Sequence, residues 1–146
     1  MKNTLKGKWV IDSQLMVYGL DEDSPFYPEA QKLFYSIYNG QIEAYCALQN
    51  IIETENTLII RYKQPIRTVI DKVNNMLEVS RFIIISPLIT TYQKFHLLIK
   101  SIKYNFDLYD HFLAATMLDN GMNRLLTVNT KDFSKIPGIE AVNPFK

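Results

Sequence analysis

Acidic side chains stand beside apolar segments in several separate parts of this 146-residue chain. Asp12 directly follows the apolar run Trp9–Ile11, whose composition is typical of a buried strand. Asp110 shares a helical face with apolar residues three, four and seven positions after it. An ionised carboxylate on an apolar face needs a cation, a metal ion or a raised pKa. Acids that converge from separate segments repel one another, so they would require a divalent cation, and oxygen ligands suit Mg²⁺ or Mn²⁺.

Each of these carboxylates also has a purely structural interpretation. Asp12 could simply cap the helix that follows it, and its position alone leaves the two interpretations about even. Asp110 could pair with a distant Arg or Lys, but few candidates lie nearby in the sequence, which favours a functional role. Asp107 lies one turn earlier, lacks the apolar stripe and is interpreted as a solvated residue at the helix start.

Two acidic candidates lie in the segment 49–56. Helical periodicity favours Glu55, which shares a stripe with the apolar residues Leu48, Ile51, Ile52, Leu58 and Ile59. Glu53 instead shares a polar face, which can either meet solvent or line a polar site. Periodicity leaves both possibilities open.

A fourth group of polar side chains follows the apolar run near residue 126. Thr127 and Asn129 offer neutral oxygens, and Asp132 adds a carboxylate. The plain interpretation is an Asn/Asp turn into a short helix, and this interpretation would prevail if the segment stood alone. Beside acids from other segments, the same residues could join a metal site.

The elements that must position these residues alternate between strand and helix. Apolar runs predict strands at 8–12, 42–46, 82–85, 124–128 and 140–142, and residues 82–85 are predicted to form a buried central strand. Periodicity and stop signals predict helices at about 24–39, 48–63, 66–79, 90–103 and 108–120, with Ser24-Pro25 at the start of the earliest of these. The alternation predicts an α/β fold of one domain over residues 1–146, with three α/β/α layers around a mostly parallel sheet. Ligands of such folds bind beyond the carboxyl ends of the strands.

Composition excludes several other classes of function. The net charge of +1 argues against indiscriminate coating of nucleic acid, although it does not exclude a local basic groove. Cys46 is the one cysteine, so no internal disulfide is possible, and it is predicted to be a small buried hydrophobe. His96 and His111 lack zinc-ligand spacing and are interpreted as surface or packing residues. The polar, basic N-terminus resembles neither a signal peptide nor a membrane span, which predicts a cytoplasmic protein.

Several segments, taken in order, resemble the PIN-domain family over nearly the whole chain. Val10–Ser13 resembles the opening strand with the first acid of the family, and Leu48–Glu53 resembles the helix with the second acid, which follows a Gln by four. Leu108–Met117 resembles the segment with the third acid. Arg124–Phe133 and then Glu140–Phe145 resemble the ending of the family. The order and spacing of these segments are more specific than any one of them.

This resemblance implies an endoribonuclease that depends on Mg²⁺ or Mn²⁺ and leaves a 5′-phosphate and a 3′-hydroxyl. Small free-standing members are commonly VapC-type toxins, which are neutralised by a cognate antitoxin and are often homodimers. Carried over by position, the resemblance implies three metal ligands, Asp12, Glu53 and Asp110. It overrules the preference of periodicity for Glu55. Ser13 and Thr127 would be supporting hydroxyls that hold ligands or water.

The sequence departs from the family pattern at two positions. Gln14 stands two residues after the first acid, where the family often has Asn, and Asn129 stands two residues after Thr127, where a fourth acid is common. Asp132 follows, as it does in many relatives, so Asn129 or Asp132 would steady a second metal ion or the attacking water. These departures leave the second metal ion more open than the first, and they make a non-catalytic PIN-like RNA-binding or regulatory module the alternative.

Two further classes of protein fit the sequence less well. A phosphotransfer receiver or phosphatase on a doubly wound sheet would need an acid pair near the first strand, which is missing in the expected place. A dimerisation module without an active site would leave Asp110 on its apolar stripe unexplained. The nine tyrosines could stack on unpaired bases of RNA, and core packing is the structural interpretation for most of them.

Overall fold

The computed structural model describes residues 5–146, so the first four residues of the basic N-terminus lie outside the described part. The strands are β1 Gly7–Ile11, β2 Ile42–Ala47, β3 Ile83–Ile85, β4 Arg124–Leu126 and β5 Glu140–Val142. The helices are α1 Ser13–Leu20, α2 Tyr27–Tyr38, α3 Leu48–Asn56, α4 Ile66–Val79, α5 Thr91–Ile99, α6 Leu108–Asp119 and α7 Thr130–Phe133. A π-helical turn, Thr57–Arg61, continues α3. In the described part, no helix is both long and apolar enough to cross a membrane.

All pairings in the five-stranded sheet are parallel, and its strand order is β3-β2-β1-β4-β5. Alternate residues of β1 enter opposite cores: Trp9 and Ile11 pack in one, and Val10 in the other. Helices therefore cover both faces of the sheet, and the predicted three-layer α/β/α architecture is confirmed. The chain runs outward from β1 to β3, then returns to β4 on the other side of β1. The strand order thus reverses between β1 and β4, where open α/β sheets bind their ligands.

The predicted position of the third strand in the sheet is wrong. Residues 83–85 form a strand, but β3 lies at the edge of the sheet and not at its centre. Ile83 is 42% exposed and Ile84 is 50% exposed, while Ile85 is buried. A short apolar run indicates a strand because of its β-branched residues, yet its place in the sheet depends on pairing with distant segments.

Two helix boundaries also differ from the prediction. α2 begins at Tyr27 and not at Ser24-Pro25, because the Ser24 hydroxyl accepts a hydrogen bond from the Phe26 amide and closes a local turn. The helix predicted at 90–103 ends at Ile99. α4 and β5 have the predicted bounds, and Cys46 is buried as predicted.

Candidate active site

Asp12 lies at the point where the strand order of the sheet reverses. Its backbone amide donates to the Leu126 carbonyl on β4 at 3.0 Å, so the residue still belongs to the sheet. Its side chain caps α1 by accepting from the Ser13 amide at 2.8 Å. Thr127 Oγ1 donates to Oδ2 at 2.7 Å, and Asn50 Nδ2 reaches Oδ1 at 3.3 Å. Asp12 is therefore a helix cap, and it is also held by side chains from two other segments.

Burial dominates the electrostatics of Asp12. Removal from water raises the pKa of its carboxyl, and the hydrogen bonds from Thr127 and Ser13 oppose that rise. Within residues 5–146, no Lys, Arg or His forms an ion pair with Asp12. The carboxylate is thus fixed in place by neutral donors, and its charge is left for a cation to balance.

The helix α3 turns a polar face toward Asp12. Asn50 is fully buried, and its Oδ1 accepts from the Ala47 amide at 3.2 Å while Nδ2 donates to Asp12. One turn later, Glu53 Oε2 accepts from Ser13 Oγ at 3.3 Å. Asn50 was not singled out from the sequence. The signal for it was a polar residue at the first turn of a helix that directly follows a strand.

The structure places Glu53, and not Glu55, beside the first acid. Burial raises the pKa of Glu53, and the charge of Asp12 adds to the rise. The apolar stripe that favoured Glu55 lies only partly on the buried face of α3, since Leu48 and Ile52 are 45% and 59% exposed. Apolar periodicity was misleading here because the buried side of α3 carries Asn50 and Thr54 beside Ile51, and these two polar side chains contact Asp12 and Ser13. The role of Glu53 as a ligand remains a prediction.

Asp110 has a strongly raised pKa, of about 7, and burial is the largest cause of the rise. The charges of four further carboxylates add to this rise, those of Asp107, Asp12, Asp132 and Glu53. The acids predicted from separate segments therefore act on one another at a single edge of the sheet. Asp110 also begins the stripe of buried residues predicted for α6, which contains Leu113, Ala114 and Met117.

Asp107 contributes to this edge, although it was interpreted only as a solvated helix-start residue. It is exposed and caps α6, where its side chain accepts from the amides of Tyr109 and Asp110 at 2.8 and 3.2 Å. Its charge is nevertheless the first of those that raise the pKa of Asp110. The missed signal was its spacing of three residues from Asp110, which places both acids at the same end of one helix.

The segment after β4 supplies hydroxyl and amide groups. Thr127 is fully buried, and its Oγ1 both donates to Asp12 and accepts from the Asn129 amide at 3.0 Å. Asn129 immediately precedes α7, and Asp132 is exposed in the first turn of that helix. The structure therefore joins Thr127 directly to Asp12, whereas Asp132 acts on Asp110 through its charge.

The oxygen ligands available at this edge of the sheet suit a hard divalent cation. The converging ligand groups are carboxylate and hydroxyl oxygens, which bind Mg²⁺ or Mn²⁺ in preference to zinc. Within the described residues, no group of three or more His, Cys, Asp or Glu side chains stands close enough to hold a metal ion unaided. The carboxylates thus face one another across an open edge, where their mutual repulsion raises the pKa of Asp110.

Two clefts adjoin the carboxylates and share Asp107 and Asp110. The larger one, of about 630 Å³, lies between α3 and α6, and its other walls are largely apolar. The smaller one, of about 270 Å³, lies between the segment 104–107, α6 and α7. We call the smaller one the α7 cleft. An extended ligand that crosses the carboxylates could therefore place one group in each cleft.

No family model and no curated protein matches this sequence. Solved structures of bacterial toxins and toxin–antitoxin complexes share the fold over nearly its whole length. The structure of VapBC2 from Rickettsia felis, solved with a DNA fragment from its promoter, matches with a TM-score of 0.70 at 16% identity. The match covers 93% of this chain and 98% of that chain.

Two further solved structures give similar values. A toxin–antitoxin complex from Klebsiella pneumoniae matches with a TM-score of 0.62 at 23% identity, over 94% of this chain and 98% of that chain. The sarcin–ricin-loop-cleaving toxin VapC20 from Mycobacterium tuberculosis matches with a TM-score of 0.65 at 11% identity, over 89% and 97%. The chain therefore has the fold of VapC-type PIN-domain toxins, and the fold implied by the resemblance is confirmed. Its function has to be argued from the site.

Proposed function

We propose that this chain is an endoribonuclease that uses Mg²⁺ or Mn²⁺ to hydrolyse phosphodiester bonds of RNA, and that it is the toxin of a toxin–antitoxin pair. The observation that carries the proposal is the convergence of carboxylates on Asp110 at the carboxyl edge of the sheet. These acids come from the end of β1, from α3, from α6 and from α7. The fold shared with the toxins supports the same reaction class.

The surroundings of each carboxylate suit it to a different role at the proposed metal site. Asp12 is partly buried and fixed by hydrogen bonds, so it would serve as a rigid ligand. Glu53 is more exposed, and its hydrogen bond from Ser13 is long, so it can adjust as a second ligand. Asp110, with a pKa of about 7, is close to half-protonated at neutral pH. A divalent ion bound between them would polarise the scissile phosphate and activate a water molecule.

The groups around these ligands keep them oriented. Thr127 and Asn50 donate to the two oxygens of Asp12 and prevent its rotation. Asn129 precedes α7 and Asp132 lies in its first turn, and either residue would steady the attacking water or a second ion. This arrangement offers no Lys or Arg within the described residues as an internal partner for Asp12, which leaves its charge for the cation.

An antitoxin and a second copy of the chain are the proposed protein partners. The Klebsiella pneumoniae structure is a toxin–antitoxin complex, which supports a separate antitoxin for this chain. Exposed apolar side chains follow the free edge of the sheet and the loop after it, among them Ile84, Leu88 and Ile89. Such a patch beside an unpaired strand is typical of a protein–protein interface and supports a homodimer.

The test is cleavage of a mixed RNA pool by the purified protein with Mg²⁺ or Mn²⁺. Parallel reactions contain EDTA, or an Asp110→Asn variant that keeps the shape of the side chain and removes its charge. We expect metal-dependent cleavage by the wild type and a loss of at least 100-fold in the variant, since a metal ligand is removed. Cleavage that persists in EDTA, or at full rate in the variant, would contradict the proposed mechanism.

A second candidate function is a non-catalytic PIN-like module that binds RNA. The observations that favour it are Gln14 and Asn129, together with the absence of a closed three-ligand group in the described part of the chain. Calorimetric titration with Mn²⁺ separates the two functions. A folded protein that binds RNA but neither binds Mn²⁺ nor cleaves would establish the non-catalytic module.

A further inference from the structure

The α7 cleft carries two exposed aromatic rings at its mouth. Tyr104 and Phe106 are 43% and 39% exposed, although large aromatic side chains usually bury most of their surface. Both lie on the irregular segment between α5 and α6. The amino group of Lys135 lies 5.4 Å from the centre of the Tyr104 ring, so a cation and a π face stand together at the entrance.

The wall of the α7 cleft contains a buried side chain with an unused hydrogen-bonding atom. His111 is 3% exposed, and its Nδ1 lies 2.9 Å from the Asp107 carbonyl oxygen. A carbonyl only accepts, so Nδ1 carries the hydrogen, which leaves Nε2 as the ring atom that can accept. Within residues 5–146, Nε2 is buried and has no partner. Buried polar atoms normally have a hydrogen-bond partner, so a ligand bound in the cleft would supply the missing partner of Nε2.

We propose that the α7 cleft binds one unstacked nucleotide of single-stranded RNA, next to the scissile phosphate. The ring of Tyr104 stacks on the base, and Lys135 contacts its backbone phosphate. Nε2 of His111 accepts a hydrogen bond from an N–H or O–H group of the nucleotide. This inference rests on the proposed nuclease function and names a specificity-determining part of the same site.

The chemistry of the cleft selects this ligand over others. Asp107, Asp110 and Asp132 line it, so a ligand that is only an anion would be repelled. A nucleotide offers an uncharged π face and a hydrogen-bond donor, with its phosphate beside Lys135 or the metal ions. The volume of about 270 Å³ is at the small end for ligand pockets, which suits one base and not a duplex.

Phe106 controls access to the acceptor. Its ring packs edge to face against the imidazole of His111, with the ring centres 4.9 Å apart. Phe106 is partly exposed on an irregular segment, so the proposed nucleotide would displace its ring from His111 to reach Nε2. A base that enters the cleft would then pack against the His111 imidazole in place of Phe106.

The first test compares Tyr104→Ala with Tyr104→Phe, which keeps the ring. Binding of a fluorescein-labelled single-stranded RNA is measured by anisotropy in an Asp110→Asn background with Ca²⁺, and KM and kcat are measured with Mn²⁺ in the otherwise unchanged chain. We expect Tyr104→Ala to weaken binding by roughly 5- to 100-fold and to raise KM more than it lowers kcat, because base stacking is lost. Tyr104→Phe should stay within about twofold of the parent protein, as should Tyr92→Ala, which removes an exposed tyrosine of α5 that does not line the α7 cleft.

The second test separates the two nitrogens of His111. His111→Asn keeps a donor near Nδ1 for the Asp107 carbonyl and removes the acceptor, whereas His111→Gln places an amide oxygen near Nε2. After folding is checked by circular dichroism and melting, we expect weaker RNA binding for Asn and partial rescue for Gln. If His111 only packs in the core, both variants should instead have a lower melting temperature and unchanged RNA binding.

Each outcome bears on a definite claim. If the wild type cleaves RNA while Tyr104→Ala and His111→Asn bind and cleave as well as it does, the subsite is overturned and the nuclease stands. If a double-stranded hairpin binds as tightly as the single strand, the subsite is also overturned, because a paired base cannot enter the cleft. If the wild type neither binds nor cleaves RNA, the proposed function falls together with the subsite.

Discussion

Replacement of Asp110 by Asn should stabilise the metal-free protein while it abolishes activity. Asp110 has a pKa of about 7 in the fold, against an ordinary value of 3.8, a rise of about three units. Each unit corresponds to about 1.4 kcal/mol, so ionisation of Asp110 destabilises the fold by at most about 4 kcal/mol. Asp110 is only partly buried, and solvent screening reduces this figure to roughly 1–2 kcal/mol. Asn has nearly the same shape and no charge, so the variant escapes this penalty.

The pH dependence of this effect follows from the sign of the shift. Because the folded state holds the Asp110 proton more tightly than the unfolded state, ionisation costs stability as the pH rises from 3.8 to about 7. Above pH 7 the penalty is complete, and below pH 3.8 both states are protonated and it vanishes. The stabilisation by Asp110→Asn should therefore be largest at pH 8 and clearly smaller at pH 5.

Thermal and urea unfolding in EDTA at pH 8, 6.5 and 5 measure this effect directly. An increase of roughly 1–2 kcal/mol corresponds to about 2–8 °C in melting temperature for a chain of this size. Addition of Mg²⁺ should reverse the order, since a ligand at 100 times its Kd stabilises the wild type by about 2.7 kcal/mol and the variant by less. Glu55→Gln, on another face of α3, is the matched control and should change little at any pH. A variant that is less stable than the wild type at pH 8 in EDTA would show that Asp110 is favourably paired, contrary to the repulsive cluster described above.

Three further changes test other parts of the site. Thr127→Val removes the hydrogen-bond donor to Asp12 at nearly constant shape. We expect the free energy of unfolding to fall by about 1–3 kcal/mol and the rate of RNA cleavage to fall as well. An unchanged cleavage rate would mean that Asp12 does not need this hydrogen bond for its orientation. Glu53→Gln should reduce cleavage by at least 10-fold while Glu55→Gln leaves it intact, and the reverse result would restore the assignment favoured by apolar periodicity. At a fixed, limiting Mg²⁺ concentration, the cleavage rate should fall as the pH drops below about 7, because protons then compete with the metal ion at Asp110. A cleavage rate that stays constant from pH 8 to 5 would contradict this competition.

The sequence by itself determined the elements and most of the chemistry. Alternating apolar runs and amphipathic segments predicted the parallel α/β architecture, because the period of two in strands and 3.6 in helices is a local property. Asp110 could be recognised as exceptional because an acid on an apolar stripe conflicts with burial. Asp12 was a candidate because it directly follows a buried strand, and the ends of parallel strands meet at one edge.

Tertiary structure decided everything that depends on segments distant in the chain. The edge position of β3 follows from pairing with β2 alone, which no property of three isoleucines encodes. Glu53, and not Glu55, lies beside Asp12 because polar side chains of α3 meet Asp12 and Ser13, so apolar periodicity could not find it. The buried Asn50 belongs to the site only through Asp12, which lies 38 residues away in the chain. A pKa of about 7 at Asp110 likewise arises from burial and from charges that only the fold assembles, because electrostatic energy depends on distance in space and not along the chain.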